Sequence, residues 1–279
     1  MKLKPKLSRA VAGYLLAALI MLPILLYLRF PGEAVRDYIK ASVAARFPQS
    51  LPSLGAVRPS FLPGLAIENV TVGFRGRPEA ALHADGLTVR PEALALLRGR
   101  FALLLTAEGY GGRAQGRIDY TRLFSFTGPY KAQVDFRDVR VEKCGWLTDA
   151  LSRRITGTLK GTVALTGAPQ TAETGTGNLD FTLTGGSYPL LENLLGFEKL
   201  DFAKVEGKTS YRNGALRITQ LILTGETLRL SLKGNILLAE LTRDSRLDLT
   251  GTVEIPAQNN KRVAIAIGGT LGNPTTKFL

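Results

Sequence analysis

Alternating apolar and polar residues dominate the chain from about residue 65 onward. A period of two is typical of a β-strand that has one buried face and one solvated face. The pattern therefore predicts an antiparallel meander. The clearest positions on its apolar face are Leu159, Val163, Leu165, Leu179, Phe181, Leu183, Leu228, Leu230, Leu232, Leu247, Leu249 and Val253.

Turn residues divide this region into about twelve or thirteen predicted strands. At ~4.8 Å per strand, a flat sheet of that size would be about 60 Å wide, and open sheets of more than about ten strands curl or split. The alternation slips by one residue between Phe136 and Val139 and between Ile218 and Leu221, which predicts bulges that bend the strands. We expect a mainly β fold whose long curved sheet either folds onto itself or leaves an apolar groove.

Few segments interrupt the period of two. Residues 31–47 carry apolar side chains at helical spacing and predict one short amphipathic helix. Residues 91–97 and 189–195 predict two further short helical pieces. Four prolines in residues 48–64 make a helix unfavourable there and predict an extended lead-in to the sheet. Residues 29–63 are thus a short helix and a proline-rich linker, and residues 64–279 form the β-rich domain.

The N-terminus carries a membrane signal. Residues 1–9 contain four cations and no acid, and residues 10–28 contain no charge. As a helix, these 19 uncharged residues would span about 28 Å, close to the ~30 Å hydrocarbon thickness of a bilayer. No small-residue cleavage site follows, which favours an uncleaved signal anchor over a signal peptide. The cations before the span predict a cytoplasmic N-terminus, with the rest of the chain across the membrane.

The formal net charge of +13 is spread along the chain. Residues 1–40 hold seven cations and two acids, a net +5, and the remaining +8 is interspersed with acids. No basic helix and no basic run interleaved with aromatic residues is present in the sequence, so nucleic acid is not expected as a partner. The surplus of cations predicts a solvated surface that also suits anionic lipid head groups.

Candidate chemistry is sparse. With one histidine, His83, and one cysteine, Cys144, the chain has neither a disulfide framework nor a zinc cluster of several Cys and His residues. His83 and Asp85 would share one face of a strand, and Cys144 is expected to fill a core. We therefore predict no enzymatic activity and no cofactor or metal. A hydrolase would require His83 in a cleft beside a serine and a carboxylate.

Two short motifs resemble nucleotide-binding loops only in part. Gly207-Lys208-Thr209 lacks the glycine that a phosphate-binding loop needs five residues earlier, where Phe202 stands. The segment Gly-Tyr-Gly-Gly-Arg at residues 109–113 precedes a strand-like sequence rather than a helix. We predict a hairpin turn at this segment and no nucleotide site at either motif.

Longer stretches of the chain carry a family resemblance. Residues 87–118, 154–167 and 177–238 and the ending Gly-Gly-Thr-Leu-Gly-Asn-Pro within residues 265–278 combine glycines with alternating apolar residues. With the basic tail, single span and short helix before them, they resemble type II secretion system protein N (GspN) in its short form. The ending is similar to that of AsmA and TamB relatives. The resemblance covers nearly the whole chain.

The resemblance implies an inner-membrane-anchored periplasmic component of a bacterial type II secretion system, with a scaffold or accessory role beside other secretion components. It also implies a taco-shaped, AsmA-like sheet, and it carries over no catalytic residue. The alternative that it leaves open is a lipid-binding or lipid-transfer protein of the envelope, holding phospholipid in an apolar groove. An open concavity along the sheet would favour lipid handling, and a side-chain-filled core would favour a scaffold.

Overall fold

A computed structural model shows a mainly β protein built on one sheet. It describes residues 13, 14, 17, 18, 21, 25, 27–46, 49–60, 64–75, 77–121, 128–167, 175–194, 197–256 and 261–279. The strands are β1 (Ser50–Ser53), β2 (Val57–Ser60), β3 (Gly64–Phe74), β4 (Arg77–Pro91), β5 (Phe101–Gly109), β6 (Gly112–Tyr120), β7 (Tyr130–Arg140), β8 (Thr158–Gly167), β9 (Thr176–Leu194), β10 (Phe197–Arg212), β11 (Ala215–Thr224), β12 (Arg229–Leu237), β13 (Arg246–Ile255), β14 (Lys261–Gly269) and β15 (Pro274–Phe278).

The predicted antiparallel meander is confirmed. From β3 to β15 each strand pairs with the next one along the chain, and the sheet is not closed. Strands β1 and β2 both pair with β3, one with each half of it. The proline-rich lead-in is therefore extended, as predicted, but it forms an edge of the sheet. The sheet begins at Ser50, before residue 64 where the sequence placed its start.

Both predicted bulges are present. The register shifts between Phe136 and Val139 where β7 meets β8, and between Ile218 and Leu221 where β11 meets β12. A bulge puts two residues opposite one and increases the local twist. The described residues form fifteen strands, more than the predicted twelve or thirteen, in part because β1 and β2 were assigned to the linker.

Apart from the helical positions described within residues 13–28, three α-helices accompany the sheet in the part of the chain that the structure describes: α1 (Gly32–Arg46), α2 (Ala93–Leu97) and α3 (Gly145–Leu151). The first two match the helices predicted at 31–47 and 91–97. The predicted helix at 189–195 is wrong, because residues up to Leu194 extend β9 and pair with β10. An isolated helix of two turns is marginal in water, whereas this segment has an adjacent strand as partner. The sequence did not predict α3.

The predicted membrane span, residues 10–28, lies mostly outside the described residues. Its described positions, such as Tyr14 and Leu28, are helical and exposed. Within the described part of the chain, no helix is both long enough and apolar enough to cross a bilayer.

Helix α3 shows how strongly the sheet curls. The helix lies between β7 and β8, and it contacts both β4 and the 3₁₀ turn Thr242–Asp244 that follows β12. Along a flat sheet, β4 and β12 would be about 38 Å apart at ~4.8 Å per strand, whereas seven helical residues span only about 10 Å. The sheet therefore bends around α3, as a twist of roughly 20–25° per strand allows.

Two apolar clusters form the core. The larger lies on one face of β8–β14 and contains buried residues such as Val253 and Ile265, together with Val141 from the segment before α3. The smaller joins the start of the sheet to α1, whose Val35 and Ile39 pack against Leu54, Val57 and Ile67. Helix α1 thus fixes the N-terminal edge of the sheet.

Candidate functional site

The twelve residues predicted for the apolar face lie on one face of the sheet. Register pairs Leu159 with Leu183, Val163 with Leu179, and Leu230 with Val253. Directly paired residues in an antiparallel sheet point to the same side. The remaining predicted positions follow by alternation along the same strands.

Burial divides these twelve residues into three groups. Five are buried: Leu183, Leu228, Leu232, Leu249 and Val253. Six are partly buried: Leu159, Val163, Leu179, Phe181, Leu230 and Leu247. Leu165 alone is exposed, at 39%. Across β9–β14 the predicted groove face is therefore largely a filled core.

The segment around α3 fills this part of the face. Leu147 of α3 and the flanking Val141 and Ile155 belong to the larger cluster, as does Leu271 from the turn between β14 and β15. Leu200 and Phe202, in the half of the β9–β10 hairpin that is nearer its turn, belong to the same cluster. The helix that the sequence did not predict is thus the element that occupies the expected groove. Its Leu147, Ala150 and Leu151 at helical spacing are the signal that could have revealed it.

Glycines and bulky side chains alternate across the same face. In one row of paired residues, Gly161 lies between Phe136 and Phe181, and Gly207 follows Phe181. A Cβ added at Gly207 would collide with the ring of Phe181. Gly251 lies between Leu232 and Ile265 in the same way. Phe136 therefore lies over Gly161, Phe181 over Gly207 and Leu232 over Gly251.

The apolar face of β5–β8 is more open. Leu103, Leu105, Ile118 and Val134 are partly buried and belong to neither core cluster. The same apolar surface continues through Val163 and Leu165 on β8 to Leu179 at the start of β9. Pairings such as Val134 with Val163 place them on the same face as the filled core. We call these seven residues the open strip. The sequence prediction included only its last three members.

His83 lies in a chain of polar contacts on the surface. Its Nδ1 lies 3.1 Å from the Thr71 hydroxyl, and its Nε2 lies 3.1 Å from a carboxylate oxygen of Asp85. The predicted shared face of His83 and Asp85 is therefore confirmed. Both side chains are exposed, at 44% and 67%, and neither described cavity includes them. The cleft and serine that a hydrolase would need are not found among the described residues around His83.

Cys144 is buried, as expected, with 4% of its surface exposed. Burial, with a smaller effect of the Glu142 carboxylate, raises the pKa of its thiol to about 11. Tyr110, in the turn between β5 and β6, accepts a hydrogen bond of 2.7 Å from the backbone N–H of His83. This turn has positive φ at Tyr110 and Gly111, which confirms the predicted hairpin at residues 109–113.

The cavities among the described residues include two whose lining residues are mostly of polar types. One, of about 450 Å³, lies at β7–β11 between charged residues such as Lys160, Asp180 and Lys208. The other, of about 520 Å³, lies between α3 and Arg243. No group of three or more His, Cys, Asp or Glu residues in the described ranges could hold a metal ion. Gly207-Lys208-Thr209 lies within strand β10.

Comparison with known proteins adds no relative. No family model matches this chain, and no curated protein and no solved structure matches it either.

Proposed function

We propose that this protein is a non-enzymatic, inner-membrane-anchored periplasmic component of a type II secretion system, in which the sheet serves as a scaffold. The observation that carries the scaffold role is the filled apolar face of β9–β14, occupied by the α3 segment and by side chains such as Val253 and Ile265. A filled face suits a rigid body that other proteins contact. The link to secretion rests on the sequence resemblance to GspN.

The charge pattern of the first 28 residues supports the membrane anchor. Four cations precede an uncharged stretch that is long enough for a single span. Only residues 29–31 separate this stretch from α1, which packs on the sheet through Val35 and Ile39. The proposed anchor would therefore hold the sheet close to the outer surface of the inner membrane.

Deletion of the gene in its host tests the proposal. We expect folded substrates of the secretion system to accumulate in the periplasm and to decrease in the medium. A plasmid that carries the full chain should restore secretion. A chain whose residues 1–28 are replaced by a cleavable signal peptide should restore less, because the sheet would no longer be tethered. Unchanged secretion after deletion would contradict the proposal.

A second candidate function, lipid binding, is favoured by the open strip. Its seven apolar residues, six on β5–β8 and Leu179 on β9, lie without the cover that α3 gives to the other half, and Leu165 is 39% exposed. Such a surface could hold an acyl chain by apolar burial.

Mass spectrometry of phospholipid that copurifies with the detergent-solubilised chain tests this candidate. The variant Leu165→Arg would put a charge on the open strip, whereas Ala164→Arg puts the same charge on the opposite face at the next residue. Lipid that is lost in the first variant and retained in the second supports binding at the strip. Well-folded protein without lipid would count against it.

A further inference from the structure

Helix α2 exposes two leucines. Leu94 is 61% exposed and Leu97 is 84% exposed, in a helix of five residues. Residues three apart lie on the same face of a helix, so the two side chains form one apolar pair. Single exposed leucines are common on protein surfaces. Two exposed leucines on one face of the helix that connects β4 and β5 indicate a contact with an apolar partner.

The structure holds α2 firmly against the sheet. The N–H of Glu92, just before the helix, donates a hydrogen bond of 2.9 Å to the carbonyl of Ala102. The Glu92 carboxylate lies 2.6 Å from the guanidinium of Arg117 on β6. Ala95, on the inner side of the helix, is buried. Leu94 and Leu97 are therefore presented by a fixed element.

Three arginines flank the two leucines in sequence. Arg90 precedes α2 at the end of β4, and Arg98 and Arg100 follow it, and all three are exposed. Arg100 lies 4.0 Å from Asp119, whereas Arg90 and Arg98 form no ion pair with any residue that the structure describes. Exposed apolar side chains flanked by cations are typical of segments that lie at an anionic lipid surface.

The start of α1 lies toward the same end of the sheet as this patch. Gly32, at the start of α1, lies against the carbonyl of Val57 in β2, and the carbonyl of Gln49, just after α1, accepts a hydrogen bond from Arg75 at the far end of β3. Helix α1 therefore runs toward the far end of β3. The start of α1 therefore lies toward the opposite end of the sheet, where β4 ends and α2 begins.

We propose that α2 is a second membrane contact, at which Leu94 and Leu97 enter the head-group region of an anionic lipid surface and Arg90, Arg98 and Arg100 bind lipid phosphates. The proposal rests on the membrane anchor of the proposed function. Two separated contacts, the anchor and α2, would fix the tilt of the sheet relative to the bilayer. A single span followed by a sheet would leave that tilt undetermined.

A fluorescent label at position 97 in the full chain tests the contact. The variant Leu97→Cys is labelled with an environment-sensitive dye and reconstituted into vesicles of phosphatidylcholine, with or without phosphatidylglycerol. The matched control is Leu237→Cys, an exposed leucine at the end of β12, eight strands away in the sheet order. Native Cys144 is buried and should not compete for the dye.

With phosphatidylglycerol present, we expect a blue-shifted emission at position 97, and several-fold stronger quenching by head-group-labelled lipid than at position 237. Adding Arg90→Gln and Arg98→Gln should weaken the dependence on phosphatidylglycerol. Flotation of the vesicles at alkaline pH separately reports on the anchor. Protein that floats but leaves position 97 in water overturns the α2 contact alone. Protein that does not float overturns both the anchor and the contact.

Discussion

At the scale of single residues, the glycines explain how the apolar face packs. The chain has 30 glycines in 279 residues, and several lie on the apolar face opposite bulky side chains. The ring of Phe181 lies over Gly207, and a side chain of Leu165 approaches the position that a Cβ would take at Gly177. A side chain that lies over a glycine lets the layer that covers the sheet approach it more closely than two large side chains would. The glycines are therefore part of the core packing.

The substitution Gly207→Ala should destabilise the protein by about 1–3 kcal/mol, because the added methyl group overpacks the contact with Phe181. A second change, Phe181→Leu, should recover part of that loss, since the smaller side chain leaves room for the methyl group. Denaturant titration of the single and double variants measures the coupling between the two positions.

Gly86→Ala is the matched control for Gly207→Ala. Gly86 is also a strand glycine, but nothing lies within 4 Å of an added Cβ. Alanine is better than glycine within a strand by roughly 0.5–1 kcal/mol, so this variant should be neutral or slightly stabilising. Equal losses in the two variants would contradict the packing role of Gly207.

Cys144 gives a second prediction at this scale. Because burial and Glu142 raise the pKa of its thiol to about 11, the thiolate is scarce at neutral pH. We expect Ellman's reagent to react slowly with the native chain at pH 8 and rapidly after unfolding. The folded chain favours the neutral thiol more than the unfolded chain does. This contribution to the free energy of unfolding is lost as the pH rises from 9.0 toward about 11, so stability should fall over that range. Fast labelling of the folded chain at pH 8 would refute the buried placement.

At the scale of elements, α3 links parts of the sheet that are distant in sequence. It contacts β4 on one side and the turn Thr242–Asp244 on the other, and Leu147 packs into the core of β8–β14. The turn between β14 and β15 lies in the same region. The N–H of Gly272 in that turn donates a hydrogen bond to the carbonyl of Arg243, and Ser152, just after α3, lies beside Gly272. Helix α3 thus stabilises the curl that buries the C-terminal half of the face.

Leu147→Asp should therefore destabilise the C-terminal half most. A carboxylate in an apolar core costs both the lost burial and the desolvation of the charge, about 3 kcal/mol or more. Hydrogen exchange followed by mass spectrometry should show faster exchange in β9–β14 than in β5–β6. Trp146→Gln, on the more exposed side of the same helix, should change exchange much less. Uniform loss of protection along the whole sheet would argue against the specific role of α3.

The elements also show what sequence reasoning reaches and what it misses. Alternation predicted most of the strands and located two of the bulges, because the period of two is a local property of the backbone. It failed at residues 189–195, where a helix-like pattern is overridden by pairing with β10. It did not predict α3 either, because seven residues between two strands give a weak signal and the stability of this helix depends on distant contacts.

At the scale of the whole molecule, the sequence predicted which residues form the apolar face but not whether that face is exposed. The alternation is sufficient to place all twelve residues on one face. Whether that face is open or covered depends on the twist accumulated across many strands, which no local pattern contains. Leu249 and Leu165 illustrate the difference, since both belong to the predicted face, but one is buried and the other exposed.

An open sheet has two free edges, and here both edges carry proline. Pro52 and Pro59 lie in β1 and β2, and Pro274 begins β15. Proline has no N–H to offer to an added strand, so it protects an edge from pairing with another chain. We infer that these prolines help to keep this wide, unclosed sheet from associating edge to edge.

Replacing both prolines of the first edge, as Pro52→Thr with Pro59→Thr, should allow β1 and β2 to pair with the same edge of a second molecule. Light scattering coupled to gel filtration in detergent should then show a mass that rises with protein concentration. The control Ser53→Thr with Ser60→Thr adds β-branched residues to the same strands and keeps the prolines. A proline variant that retains the mass of the unmodified chain at every concentration would contradict the protective role of Pro52 and Pro59. In that case, the interruption around Gly55 between the two short strands is what protects the edge.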